Sequence, residues 1–460
     1  MKLLFKGGFV VSGTGSRRAD VLVEGDRVAA VGHISPAQSA GAEVVNVAGQ
    51  YLFPGFIDAH THFDLDVCST TTADDFASGS RAALRGGTTT VIDFACPNKG
   101  ETLAHGLALW HEKADGKTWC DYGFHMTIDD WNETIERELD DMLAAGITSF
   151  KMYLTYPAMM LPDGDIYRAL KALKKRGCIC GVHCENSGVI DARIAELKAR
   201  DRAGDVSSHP IARPEEMEAE AVARLLRIAQ AAEAPVVIVH LTNEQALDEV
   251  EAARARGQRV YVETCPQYLL LDDGVYYADD WDAAAKYVCA PPIRDERNHR
   301  ALWRALRRGA IQTVSTDHCS FTAEQKRMGL HDFTKIPGGL AGVETRGELM
   351  YTAGFAQHRL SIGALCRVLS ENPARLYGLF PRKGILAPGS DADIVVYDPH
   401  GGHELHAAEL ASRAGSTPFE GFKTSGTVSQ VYLRGQLAVR DGEVLGAPQG
   451  QYLRRGYPAL

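Results

Sequence analysis

The first fifty residues alternate apolar and polar positions in short runs broken by glycine: KLLFKGGFVVSG, ADVLVEGDRVAAVG and AEVVNVAGQYLFPG. A period of two over four to eight residues predicts short, half-buried strands. The same texture returns near the end in KGILAPGSDADIVVYDP and TVSQVYLRGQLAVRDGEVL, with Gly and Asp punctuating the alternation. The two terminal segments, residues 1–53 and 385–460, are expected to pair into one small β-sandwich domain.

Between them, over residues 54–384, apolar runs alternate with helix-length amphipathic segments. That pattern predicts repeated βα units and a parallel sheet. Eight candidate strands can be read: GFIDAHTH, TTTVIDFA, YGFHMTI, ITSFKMYLT, CICGVHCE, VVIVHLT, RVYVETC and IQTVSTDH. Amphipathic runs such as RPEEMEAEAVARLLRIAQAAEA and NEQALDEVEAARARG fall between them, the second ending on Gly257 as a helix stop. The expected fold class is α/β, a (β/α)₈ TIM-like barrel with a small β-sandwich built from both termini.

Composition narrows the function classes. A chain of 460 residues, 45% hydrophobic and 23% charged, has material for a large core and reads as a globular protein. Its net charge of -10 and the lack of any Lys/Arg stripe argue against a nucleic-acid partner. No apolar run reaches the roughly 20 residues that span a bilayer, and the N-terminal MKLLFKGGFVV breaks at Gly7 before a signal-peptide core forms. No membrane partner and a cytoplasmic location are expected. The ten cysteines are scattered, which fits reduced structural thiols.

The chemistry lies in GFIDAHTHFDL. In a strand, residues i and i+2 share a face, so His60 and His62 project together. Such a pair can grip a metal or can be an accident of a polar loop. In a (β/α)₈ barrel the chemistry collects at the C-terminal strand ends, and there stand His60 and His62 on strand one, Lys151 on four, His183 on five, His240 on six and Asp317, followed by His318, on eight. Singly, each histidine reads as a hydrogen-bonded rim residue and Asp317 as a helix cap. Together they exceed what one four-coordinate zinc needs and point to two metal ions. Lys151 sits between Phe150, Met152 and Tyr153, where an ammonium beside two cations is disfavoured. Uptake of CO₂ would turn it into a carbamate bridging both metals, N6-carboxylysine; the alternative is a lysine that snorkels to solvent or pairs with an acid.

The runs GFIDAHTHFDLD, SFKMYLTY, GVHCEN, VHLTN, TCPQYLLLDD, APPIRD, STDHCSF and GVETR, with APGSDADIVVYDP and the tail QYLRRGYP, resemble the dihydropyrimidinase and D-hydantoinase family of cyclic amidohydrolases. The resemblance spans nearly the whole chain. It implies a barrel with a small β-domain, two divalent metals per subunit (usually zinc, with manganese or cobalt as alternatives), a carboxylated lysine and a homotetramer. It places His60, His62, Lys151 and Asp317 on one metal and Lys151, His183 and His240 on the other. Asp317 matches the family's proton shuttle, and Tyr156 matches the tyrosine that donates to the developing oxyanion. The family's serine before paired prolines is Ala290 here and its asparagine after Ile-Pro is Gly338. In the family the contacts to the substrate ring amide at these positions are mainly through backbone, so the resemblance implies that binding survives without the side-chain contribution.

The implied reaction opens 5-substituted hydantoins or dihydropyrimidines to N-carbamoyl amino acids. Leu65, Met152 and Tyr153 stand beside the metal motifs and are candidates for an apolar wall favouring bulky 5-alkyl or 5-aryl groups; the alternative is that they only fill the barrel rim. Dihydroorotases commonly carry an arginine right after the HxH, where Phe63 stands here. Allantoinase shares the metal set and remains an alternative. Non-catalytic scaffold relatives have lost ligands, whereas every ligand position is filled here.

Overall fold

The computed structural model describes residues 1–459. All eight candidate strands of the central region form, as one parallel sheet. They are Phe56–Thr61, Thr88–Ala95, Asp121–Thr127, Ser149–Tyr153, Ile179–His183, Val236–Ile238, Val260–Thr264 and Thr313–Val314, hydrogen-bonded in sequence order. The first and eighth strands close the ring: the His62 N–H donates to the His318 carbonyl at 2.8 Å and the His318 N–H to that of His60 at 3.3 Å. The result is a (β/α)₈ barrel.

Strand alternation sorts the side chains into two layers. Phe56, Val91, Phe124, Met126, Phe150, Met152, Val182, Ile238 and Val262 face outward into a large cluster shared with the helices. Ile57, Ala59, Ile92, Ile179, Val237 and Val239 face inward and meet Leu376, Tyr377, Leu379 and Leu453. The outward layer explains why these strands read as almost continuous apolar runs: both faces are covered.

The helices follow their sequence signals. Glu215–Ala232 and Glu244–Ala255 cover two of the predicted amphipathic runs. The second begins at Asn243, whose side chain accepts the Ala246 N–H, and past its end Gly257 adopts φ 86°, the left-handed conformation that glycine adopts without strain.

The termini build two more sheets. One has four strands, all from the first fifty residues, and one has seven. In the seven-stranded sheet Ile394–Asp398 lies antiparallel to Tyr51–Pro54, with Ile394 opposite Pro54, so the chain ends meet edge to edge. Leu3, Phe5, Val21 and Val23 of the smaller sheet share one apolar cluster with Leu52, Ile394, Val396 and Tyr432 of the larger. After the last strand the tail returns to the barrel: Tyr452 bridges to Tyr122, and buried Arg455 donates to Ser149 Oγ at 2.7 Å and to the Phe124 carbonyl, at the N-terminal ends of the strands.

Two strands stop short of their sequence runs. The sixth ends at Ile238 and the eighth at Val314, and a few residues beyond each end the backbone turns left-handed, at His240 with φ 40° and at Asp317 with φ 53°. Left-handed backbone at non-glycine residues is costly and clusters at functional sites.

Candidate metal centre and active site

Residues in the C-terminal parts of the strands and just past their ends converge. Asp317 Oδ1 lies 3.2 Å from His60 Nε2 and 3.1 Å from His62 Nε2. Ligand atoms of His60, His240 and Asp317 all fall within 4.8 Å of one another. The His183 and His240 rings are 4.6 Å apart, and those of His60 and His240 5.4 Å. Phe94 stacks beneath, 4.6 Å from His60 and 5.0 Å from His62. All six metal-type positions expected from the sequence, on five different strands, are thus gathered in one place.

Lys151 stands among them, 1% exposed. Its side chain makes no hydrogen bond or ion pair among the described residues; its Nζ lies over the rings of Phe94 and Tyr153, each at 5.0 Å. Burial holds its pKa below the usual lysine value, although Asp317 and Glu263 pull the other way. The other expectation for this residue, snorkelling to solvent or pairing with an acid, does not fit these surroundings.

The neighbouring groups show the same tension. Burial would depress His60, yet the carboxylates of Glu263 and Asp317 outweigh it and carry its pKa up to about 9. His62 is pushed down to about 4 by burial, and His183 and His240 are also lowered, chiefly by burial. Burial works against the Asp317 carboxylate, but His60 and the hydrogen bonds from His60 and His62 hold it well below the usual range. Nδ1 of His62 and of His240 are buried without a hydrogen-bond partner. Neutral imidazoles with orphaned nitrogens, a carboxylate between two histidines and an unpaired buried lysine are a donor set that divalent cations would satisfy.

Outer groups orient these rings. Glu263, at the end of the seventh strand, lies 2.5 Å from His60 Nδ1. Glu185 Oε2 lies 2.8 Å from His183 Nε2 and accepts from Arg213 at 2.7 Å. Carboxylates behind ligating histidines fix tautomer and ring angle. Sequence reasoning missed Glu263, Glu185 and Arg213; the only signal was that each acid stands at a strand end within VYVETC or GVHCEN. His318 points elsewhere. Its Nε2 is 3.1 Å from Asp74 and its Nδ1 accepts the N–H groups of Gly342 and Val343.

Tyr156 leaves the fourth strand at φ 66°. Its ring lies 5.2 Å from His183 and 6.2 Å from Tyr153, with the Arg213 guanidinium 5.7 Å above it. Burial raises its hydroxyl well above the usual tyrosine pKa, so it is a donor at any working pH. Tyr153 faces the same space, its ring 5.8 Å from His183. Met152 does not: one residue earlier on the strand, it packs into the outer layer, so alternation removes it from the expected pocket wall. Leu65 is half-buried against that same outer layer, at the base of the small hairpin Asp66–Val67 and Thr70–Thr71.

Ala290 and Gly338, distant in sequence, are neighbours in space. A methyl group added at Gly338 would lie 3.8 Å from the Ala290 nitrogen and 3.9 Å from Cys289 Cα. The two segments are joined by the Gly339 N–H, which donates to the Val288 carbonyl at 2.9 Å.

A barrel with histidines and an aspartate at its C-terminal strand ends defines a class, that of metal-dependent hydrolases. The sequence profile of the amidohydrolase family matches residues 51–438, and the chain belongs to that family. It is 39% identical to a D-hydantoinase of Geobacillus stearothermophilus over 465 aligned residues, covering 100% of this chain and 98% of that protein. It is 41% identical to a D-phenylhydantoinase of Escherichia coli O1:K1 / APEC, covering 99% and 98%. The crystal structure of a dihydropyrimidinase from Brevibacillus agri NCHU1002 superposes with a TM-score of 0.97 at 38% identity, covering 100% of both chains. Within the amidohydrolases the chain is a member of the dihydropyrimidinase and D-hydantoinase group.

Proposed function

We propose that this enzyme is a hydantoinase that prefers D-hydantoins with 5-aryl or 5-alkyl substituents and also opens dihydropyrimidines, hydrolysing the cyclic amide to an N-carbamoyl amino acid. The names of its relatives favour this over allantoin as substrate. The observation that carries the reading is Lys151, a buried amine whose side chain has no hydrogen bond or ion pair among the described residues and which stands among four histidines and Asp317. Such an amine is stable there only if its charge is removed, and carboxylation by CO₂ does so while adding an anionic ligand.

In this reading Lys151 carries an N6-carboxylate. His60, His62, Lys151 and Asp317 would hold one divalent cation, and Lys151, His183 and His240 the other, with zinc preferred and manganese or cobalt as substitutes. Bound there, the ions supply Lewis-acid polarisation of the ring carbonyl and activation of water.

The chain's own groups do the rest. Asp317 accepts the proton of the water that attacks the carbonyl carbon and delivers it to the ring nitrogen as the C–N bond breaks. Tyr156 donates its O–H to the carbonyl oxygen as that atom becomes an oxyanion. Backbone groups at Ala290 and Gly338 hold the ring amide, and Tyr153 and Leu65 bound the space for the substituent at ring carbon five. A homotetramer in the cytoplasm belongs to the same reading.

The test is a rate panel with purified, metal-loaded enzyme on D- and L-5-phenylhydantoin, dihydrouracil and allantoin. Fastest turnover of the D-hydantoin supports the proposal, and a clear preference for allantoin or no turnover of any ring refutes it.

A further inference from the structure

Lys326 ends the short helix Ala323–Lys326 and is 4% exposed. No carboxylate bonds to it among the described residues. Its Nζ instead donates to three backbone carbonyls, those of Val288 at 2.8 Å, Pro337 at 2.7 Å and Gly339 at 2.9 Å. A buried ammonium without an acid is costly, and what it gains here is three charge-assisted hydrogen bonds to main chain.

Those carbonyls flank Ala290 and Gly338. Peptide units are planar, so holding the Pro337 carbonyl fixes the direction of the Gly338 N–H, and holding that of Gly339 fixes the Gly339–Leu340 peptide, while the peptide between them is held by the Gly339 N–H on the Val288 carbonyl. The other segment is pinned at Val288 by Lys326 and the Gly339 N–H, and at the Cys289 carbonyl by His209 Nε2 at 2.8 Å. Two consecutive glycines at 338 and 339 have no side chain to anchor them, and such a segment is soft unless something external ties it down.

We propose that Lys326 is a positioning residue for substrate binding, an ammonium clamp that sets the peptide planes which grip the ring amide. The inference rests on the reading that the ring amide is held by backbone at Ala290 and Gly338. Lys326 touches no reacting atom, so its effect falls on KM.

Proton loss would weaken the clamp. Burial lowers the Lys326 pKa to about 8, and a neutral amine has two N–H groups for three carbonyls. The titratable groups facing it are the thiols of Cys289, Cys319 and Cys68. Burial pushes Cys289 up to about 11 and raises the other two as well, so within this cluster Lys326 is the group that titrates near pH 8.

The experiment compares wild type with Lys326→Met, which keeps the volume and removes every donor, and with Lys326→Gln, which keeps two. With dihydrouracil as substrate, Lys326→Met should raise KM by about tenfold or more, the loss expected for hydrogen bonds to a charged group, and leave kcat within about threefold and metal content at the wild-type level. Lys326→Gln should fall between. In wild type, KM should rise as pH passes upward through 8. A Lys326→Met enzyme with wild-type KM, or one that loses kcat and metal together, overturns the proposal. If neither variant folds, a flat wild-type KM from pH 7 to 9 overturns it and a rising one supports it. Failure of wild type to open any of the rings refutes the proposed function instead, a result distinct from all of these.

Discussion

Glu263 Oε1 lies 2.5 Å from His60 Nδ1 across 203 residues of sequence. It joins the seventh strand to the first and aims the other ring nitrogen, Nε2, at Asp317. The carboxylate decides which nitrogen of His60 keeps its proton, and therefore which can bind a metal.

Replacing Glu263 by Gln should leave the fold intact and weaken metal binding by about 10- to 100-fold. Titration against a chromophoric chelator measures the affinity, and activity should return at saturating metal. Unchanged affinity would mean that His60 needs no orientation.

Lys151→Ala should lose both metals and turnover, because on the proposed reading it removes the ligand that both ions would share. Added acetate or propionate should restore part of the rate by occupying the space of the carbamate. A variant with full metal and normal kcat would eliminate the carboxylated lysine.

Asp317→Asn should keep at least one metal and lose turnover by about 10² to 10⁴, since an amide ligates weakly and cannot carry a proton. Metal analysis beside steady-state kinetics separates the two roles. Parallel loss of metal and rate would reduce Asp317 to a ligand.

Tyr156→Phe should lower kcat by about 10² to 10³ without moving the alkaline limb of the pH profile. Burial raises the Tyr156 pKa well above the usual value, so the phenol keeps its proton, and its donor function, throughout the range in which the enzyme is assayed. An alkaline limb that vanishes in the variant would show that Tyr156 itself titrates there.

Tyr153→Ala should cut the preference for 5-phenylhydantoin over dihydrouracil. Losing contact worth about two methylenes, about 1.6 kcal/mol, lowers the ratio of their kcat/KM values by roughly tenfold. A ratio that stays put would leave Tyr153 as rim packing.

The barrel was legible in the sequence because a parallel strand covered on both faces must be apolar along its length and a covering helix must be amphipathic. Both signals are local, and all eight strands were found from them. His60, His62, Lys151, His183, His240 and Asp317 could be singled out for the same reason: each stands at or just beyond a strand whose end the sequence marks. The resemblance to cyclic amidohydrolases then attached roles to them. Three kinds of fact needed the folded chain. Past the ends of the sixth and eighth strands the backbone turns left-handed at His240 and Asp317, a choice enforced by surrounding contacts against local preference. The face on which Met152 lies followed from the register of the fourth strand, which places Lys151 and Tyr153 inward and Met152 outward. The partners of His60, His183 and the segments at Val288 and Gly339 came from Glu263, Glu185 and Lys326. These are charged residues whose types and spacing carry no periodic signal, so their partners are set by which strand ends and loops the closed barrel brings within hydrogen-bond reach.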